Sequence, residues 1–199
     1  MSAVTIGSTA CHSIALWEAQ HVRARSCRSE TCGDGGLQNA PQIRCRVGLL
    51  VASGQGADRR GLTVTAATSL CVEPPMVLAC INRNAEAHDV ILRTGAFSWN
   101  VLAADQVRLA ERFAAMDGSK GASRFTPVDW HDLATGAPVL LHSVCSFDCR
   151  IEDTLQVSTH TIIMGAVVAQ SHNPDKRSLI YAAGRFGTLE YFDLAVPGK

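Results

Sequence analysis

A chain of 199 residues, 47% apolar and 18% charged, is long enough for one domain with its own core and too apolar for disorder. Eighteen basic residues cancel eighteen acidic ones, which excludes the basic excess that a nucleic-acid or anionic-membrane partner calls for. No run approaches the ~20 apolar residues of a membrane span, and the first twenty residues lack the basic start and apolar centre of a secretory leader, so a cytoplasmic protein is expected.

Residues 1–45 read as an N-terminal arm, partly ordered, ahead of a domain over 46–199. The arm holds Cys11, Cys27, Cys32 and Cys45 and the turn-rich run Cys32-Gly33-Asp34-Gly35-Gly36, with no sustained helical or strand period. None of the eight cysteines forms a C-x-x-C or has zinc-finger spacing, so no metal site is expected. Cys71, Cys80, Cys145 and Cys149 lie in apolar segments and read as reduced, buried, inert thiols.

Val47–Ala52 is a short apolar strand, followed by a turn at Ser53-Gly54-Gln55-Gly56. Leu62–Leu70, rich in Thr and Val, reads as one further strand, broken by Glu73-Pro74-Pro75. Met76–Ile81 is continuously apolar, the pattern of a strand buried on both faces. Asn84 is placed to cap a helix with Glu86 and Asp89 near its start, Ala87, Val90 and Ile91 along its apolar stripe, and Gly95 at its end.

Phe97–Leu102 is a strand, and Asp105–Ala114 a helix whose Leu109, Ala110 and Phe113 face the core. Residues 117–138 read as a long loop. In Val144–Ile151, Cys145, Phe147, Cys149 and Ile151 alternate with Ser146, Asp148 and Arg150, as in a half-buried strand. His160–Ala169 and Ser178–Ala183 complete the set. Many short strands around two helices imply a barrel-like sheet. No Ser/His/Asp order, phosphate-binding glycine loop or G-x-G-x-x-G stands out.

Several segments in this order resemble the flavin reductase-like family, the small reductases of two-component flavin monooxygenases. They are Gly61-Leu62-Thr63-Val64-Thr65-Ala66-Ala67-Thr68-Ser69, Pro74-Pro75 with Ile81-Asn82-Arg83-Asn84, Phe97-Ser98-Trp99-Asn100-Val101-Leu102, Thr159-His160-Thr161-Ile162 and Gly184-Arg185-Phe186-Gly187. Ser146-Phe147-Asp148-Cys149-Arg150-Ile151 is similar to two branches, the reductase of pyrimidine-ring degradation and the corrin reductase of cobalamin synthesis. The chain departs from the family in Thr159, where an acid or Gly often precedes the motif His, and in lacking a recognisable helix before the first strand.

The resemblance implies a mainly β fold with short helices, an FMN-binding split β-barrel of Greek-key type, assembled as a homodimer with flavin at the subunit interface. It implies hydride transfer from NADH or NADPH to FMN, with FAD as the alternative flavin, and a monooxygenase as recipient of the reduced flavin. Flavin contacts are implied at Thr65, Ala66, Thr68 and Ser69, and at Asn82, Arg83, Asn84 and Ala85. There hydroxyls, backbone N–H groups at a helix start and one guanidinium suit a phosphate and ribityl chain. His160 is implied as the catalytic residue beside the nicotinamide, with Arg185 and Phe186 closing that site.

Each position has a plainer alternative: strand residues for Thr65 and Thr68, a cap for Asn84, a hydrogen-bonded structural imidazole for His160, a solvated turn for Arg185 and core for Phe186. At the level of function the alternatives are a flavin-dependent cob(II)yrinic acid a,c-diamide reductase and a non-enzymatic FMN electron carrier.

Overall fold

The run expected as one strand over Leu62–Leu70 is two strands, and its break sets the architecture. In the computed structural model, which describes residues 46–190, β1 is Arg46–Val47, β2 Leu49–Ser53, β3 Arg60–Val64 and β4 Ala67–Cys71. Then come β5 (Met76–Asn82), helix α1 (Glu86–Thr94), β6 (Ala96–Val101) and helix α2 (Val107–Phe113). There follow β7 (Trp130–Asp132), β8 (Pro138–Leu140), β9 (Cys145–Val157), β10 (His160–His172), β11 (Leu179–Ala182) and β12 (Arg185–Thr188). The N-terminal arm and its four cysteines lie outside the described residues.

Seven strands form one antiparallel sheet in the order β3-β2-β6-β9-β10-β5-β4. Its two edges, β3 and β4, are joined by Thr65 and Ala66 alone. Three peptide steps reach at most ~11 Å, whereas six strand spacings laid flat would separate the edges by roughly 29 Å. The sheet must therefore roll until its edges nearly meet. No ladder closes β3 onto β4, so the result is a split barrel. A small sheet β1-β11-β12 and the pair β7-β8 flank it.

β2 runs between two cores and is buried along its whole length. Leu49 and Val51 join Val64, Val77, Ala79, Ile81, Phe97, Trp99, Phe147, Cys149 and Ile163 inside the barrel, where α1 adds Ala87 and Ile91. Leu50 and Ala52 face Leu102, Leu109, Ala110, Phe113, Phe125, Leu140 and Leu179 on the other side. Leu109, Ala110 and Phe113 are the three residues expected on the core face of the second helix. Phe113, Phe125 and Trp130 stack at 4.8–5.9 Å between centroids, so the segment 117–138, expected as loop, is anchored by aromatic packing and by its own short strands.

Two burial expectations change. β5 is not buried on both faces: Val77, Ala79 and Ile81 point inward, while Met76, Leu78 and Cys80 stay half-exposed. In β9 two of the three alternating polar residues are buried too, and only Arg150 is exposed. Ser146 and Asp148 have no exposed surface, because a polar network replaces solvent there. The Asn100 amide donates to the Leu50 carbonyl (3.0 Å) and to Ser98 Oγ (2.8 Å). Its Oδ1 accepts from Leu140 N–H (2.9 Å) and Ser146 Oγ (2.7 Å). Asp148 accepts from Thr135 N–H (2.7 Å) and from the Thr135 hydroxyl. Alternation reads the pleat correctly but cannot reveal a second layer covering the polar face.

Candidate functional site

β4, β5 and β10 are neighbours, and their register gathers most of the candidate residues at one end of the split. Thr68 pairs with Leu78 and Asn82 with His160. The Cys80 N–H donates to the Ala66 carbonyl at 2.8 Å, which draws the Thr65–Ala66 bend onto β5. The Arg83 N–H donates to the Thr159 carbonyl at 2.9 Å, tying the end of β5 to the turn before β10. Thr65, Ala66, Thr68, Asn82, Arg83 and Asn84 are exposed, and Ser69, Ala85 and His160 half-buried.

Strand alternation sorts these side chains by face. Thr68, Asn82 and His160 share the outward face with Leu78, Cys80, Ile162 and Met164. Ser69 lies on the other face, and its hydroxyl is buried without a hydrogen-bond partner. His160 Nδ1 lies 2.9 Å from the Thr159 hydroxyl. The site therefore combines a polar end (Thr68, Asn82, Arg83, His160) with an apolar strip running along β5 and β10.

The helix start differs from expectation. Ala85, not Asn84, is the N-cap residue of α1, extended at φ −76° and ψ 137°, and no side chain caps the helix. Asn82 explains the shift. Its Oδ1 accepts the Asn84 N–H at 2.9 Å in an Asx turn, two residues on, which uses up the asparagine geometry before the helix begins. Among the described residues, the opening N–H groups of α1 thus lack a side-chain acceptor, and the Arg83 guanidinium meets only the Ser158 carbonyl, at 3.5 Å. Glu86, the one acid of that turn nearest the cap, is drawn off to the Gly121 N–H at 3.0 Å. An open helix start beside an uncommitted guanidinium fits a phosphate, and the half-exposed strip of Leu78, Cys80 and Ile162 fits a flat ring. The residues present therefore suit a flavin nucleotide.

Arg185 and Phe186 are not brought to this group. They open β12 in the small sheet, after a two-residue turn in which Ala183 and Gly184 both have positive φ (50° and 78°). Phe186 packs on Tyr181, centroids 5.0 Å apart, and against the second core. Arg185 is exposed. Within one chain no hydrogen bond or ring contact among the described residues joins them to His160.

Two residues that sequence reasoning passed over complete the region. His88, on α1, is buried, with Nδ1 2.7 Å from Asp89 Oδ1 and Nε2 2.9 Å from Thr161 Oγ1. No Ser/His/Asp order in the sequence signals this carboxylate–imidazole–hydroxyl line, because its hydroxyl lies 73 positions away. Thr161 has no exposed surface, so it cannot attack a substrate. Among the described residues no cluster of His, Cys, Asp and Glu could hold a metal, and no helix is long and apolar enough to cross a membrane.

Residues 45–190 match the family described as the flavin reductase like domain. The chain belongs to this family. It is 39% identical over 148 residues to the FMN reductase (NADH) RutF 2 of Methylorubrum extorquens, covering 74% of this chain and 84% of that one. The NADH-dependent FAD reductase of Streptomyces globisporus is 31% identical over 140 residues, 70% of this chain and 77% of that one. Among solved structures, the Streptomyces globisporus NADH:FAD oxidoreductase SgcE6 superposes with a TM-score of 0.72 at 27% identity, over 84% of this chain and all of the other. BorF, the flavin reductase component of a bacterial two-component tryptophan halogenase, does so with 0.67 at 27% identity, over 74% and 92%. The resemblance read from the motif order thus holds over the whole described domain.

Proposed function

We propose that this protein is an NADH-dependent flavin reductase that reduces FMN, or FAD, and hands the reduced flavin to a partner oxygenase. The observation that carries this reading is the polar end at Thr68, Asn82–Ala85 and His160, open to solvent beside a half-exposed apolar strip. It occurs in a chain whose relatives are named for NADH-dependent flavin reduction. The flavin, when bound, supplies the redox chemistry by accepting a hydride from the nicotinamide.

The chain's residues hold and orient. Arg83 and the opening N–H groups of α1 take the phosphate, with Asn84 and Ala85 lining the approach. Thr65, Ala66 and Thr68 offer hydroxyls and backbone groups to the ribityl chain and ring edge, whereas Ser69, its hydroxyl buried on the other face, offers only its backbone. His160 stands at the outward face where a nicotinamide would stack, either orienting its carboxamide or giving a proton once hydride has moved.

A homodimer completes this reading. Leu155 and Val157, 55% and 48% exposed, share the outward face of β5, β9 and β10 with half-buried Leu78, Ile162 and Met164, and Leu70, 40% exposed, sits at the bulge of neighbouring β4. Such a patch favours a covering partner. A second copy seated there borders Thr68, Asn82 and His160. It is also the way Arg185 and Phe186 reach a nicotinamide, from the partner rather than in cis.

The test is steady-state oxidation of NADH and NADPH with FMN, FAD, riboflavin and a cob(II)yrinate as acceptors. Saturable NADH oxidation with FMN or FAD is expected. Turnover with the corrin alone, or none with any nicotinamide, would replace this reading with the corrin reductase or the electron carrier.

A further inference from the structure

His88 is a buried imidazole bonded at both ring nitrogens, with 8% of its side chain exposed, one residue from an aspartate whose own side chain is 90% exposed. An ionised carboxylate only accepts hydrogen bonds, so Asp89 fixes the proton of a neutral ring on Nδ1. Nε2 is then the bare acceptor, and the Thr161 hydroxyl donates to it. Thr161 directly follows His160 in β10 and faces the barrel interior, opposite Ile81. Directly ahead of α1 lies Asn82–Ala85, which carries Arg83.

Elsewhere α1 is held by Glu86 on the Gly121 N–H, by Arg93 on Asp58, by Thr94 on Ser53 Oγ and by apolar contacts through Ala87 and Ile91. The apolar contacts are non-directional and tolerate sliding, and none of these polar contacts reaches β10. The His88–Thr161 bond is the one side-chain hydrogen bond between α1 and β10 among the described residues. The Asn82–His160 pairing and the Arg83 N–H on the Thr159 carbonyl already register the end of β5 on β10, and this bond adds the side-chain tie from the start of α1 to the strand bearing His160.

We infer that His88 is a positioning residue of the flavin site: with its proton placed by Asp89, it locks Thr161 and so holds the opening turn of α1, whose N–H groups would meet the phosphate, against the strand that bears His160. This rests on the flavin reading above. Misplacement of order 1 Å at such a site costs up to about a hundredfold in rate, so the bond should be felt in catalysis even though neither partner touches the ligand.

The experiment uses the full chain. FMN dissociation constants, stopped-flow rates of flavin reduction by NADH and melting temperatures are measured for wild type, His88→Ala, Thr161→Val, Thr161→Ser and Asp89→Ala. Thr161→Val keeps the shape and removes only the donor. It should weaken FMN binding about tenfold and slow reduction about tenfold to a hundredfold, with Thr161→Ser restoring both. Combining His88→Ala with Thr161→Val should cost no more than the worse single change. Asp89→Ala, at an exposed position, should fold normally yet move the His88 ¹⁵N signals away from the single Nδ1–H tautomer and weaken FMN binding about threefold, a change a purely structural imidazole would not transmit. Folded Thr161→Val and Asp89→Ala proteins with wild-type affinity and rate would overturn the inference, whatever their melting temperatures. Wild type that fails to bind FMN would instead overturn the flavin reading on which it stands.

Discussion

Arg83 carries the residue-scale prediction about binding. Among the described residues its guanidinium has no carboxylate partner, and it stands beside an uncapped helix start. Arg83→Ala should weaken FMN binding roughly ten- to a hundredfold, since a charge-assisted contact is worth about 1.5–3 kcal/mol. Flavin-fluorescence titration reads this, and unchanged affinity would remove Arg83 from the site. His160→Ala should leave that affinity nearly untouched and slow flavin reduction by NADH, because the proposed reading assigns His160 to the nicotinamide. Stopped-flow loss of the oxidised-flavin absorbance separates the two effects.

The thiols give a pH prediction at the same scale. Burial pushes Cys145 up from 9.0 to about 12. Burial, and then the Asp148 charge, raises Cys149 further, while burial alone raises Cys80. These thiols stay protonated in the folded chain while the unfolded chain ionises near 9. The native state therefore holds more protons at alkaline pH, and stability falls as pH rises. For Cys145 this contribution is complete below about pH 9 and is lost towards about pH 12. Melting temperature against pH should drop over that window, and Cys145→Val should flatten the drop. Rapid labelling of Cys145 or Cys149 in the folded protein at neutral pH would contradict their inertness.

At the scale of elements, the buried polar network decides how β6, β8 and β9 hold together. Asn100 bonds four groups; in Asn100→Leu the Leu140 N–H and the Leu50 carbonyl lose the amide, while Ser98 keeps the Pro138 carbonyl and Ser146 keeps Ser143. Each unsatisfied buried group costs about 1–3 kcal/mol, so a loss of about 2–6 kcal/mol is expected in urea unfolding. Gly165 is the second pressure point. A Cβ there would sit 2.5 Å from the Phe97 ring and 3.1 Å from Cys149 Cβ, within the barrel core. Gly165→Ala should destabilise by about 1–3 kcal/mol through overpacking. A neutral substitution would mean that Phe97 can move aside.

Most elements were legible because their signals are local. Phe97–Leu102, the stripe of Ala87, Val90 and Ile91, the core face of the second helix and the Gly95 stop (φ 66°) each follow from spacing or a single backbone preference. The candidate site was legible only as two motifs and a histidine. That they meet depends on the β4-β5-β10 pairing, and that Arg185 and Phe186 stay apart depends on a separate sheet. Asn84 was misassigned as the cap because the competing Asx turn at Asn82 uses the same residue type two positions earlier.

For the whole molecule, the outward face of β4, β5, β9 and β10 predicts assembly. The protein should sediment at twice the 21.2 kDa of one chain. Leu155→Glu with Val157→Glu, both at exposed positions, should yield a folded monomer with impaired flavin reduction. A double variant that still dimerises would place the interface elsewhere.

By itself the sequence determined the family and the strand-rich composition and supplied the candidate residues for a phosphate or a nicotinamide, since motif order and local periodicity are properties of the chain alone. Only the tertiary structure decided that Thr65 and Ala66 join opposite edges of a rolled sheet, that Ser146 and Asp148 are buried, and that His88 reaches Thr161. These depend on contacts between positions far apart in the chain, where no local pattern records which strand will lie beside which.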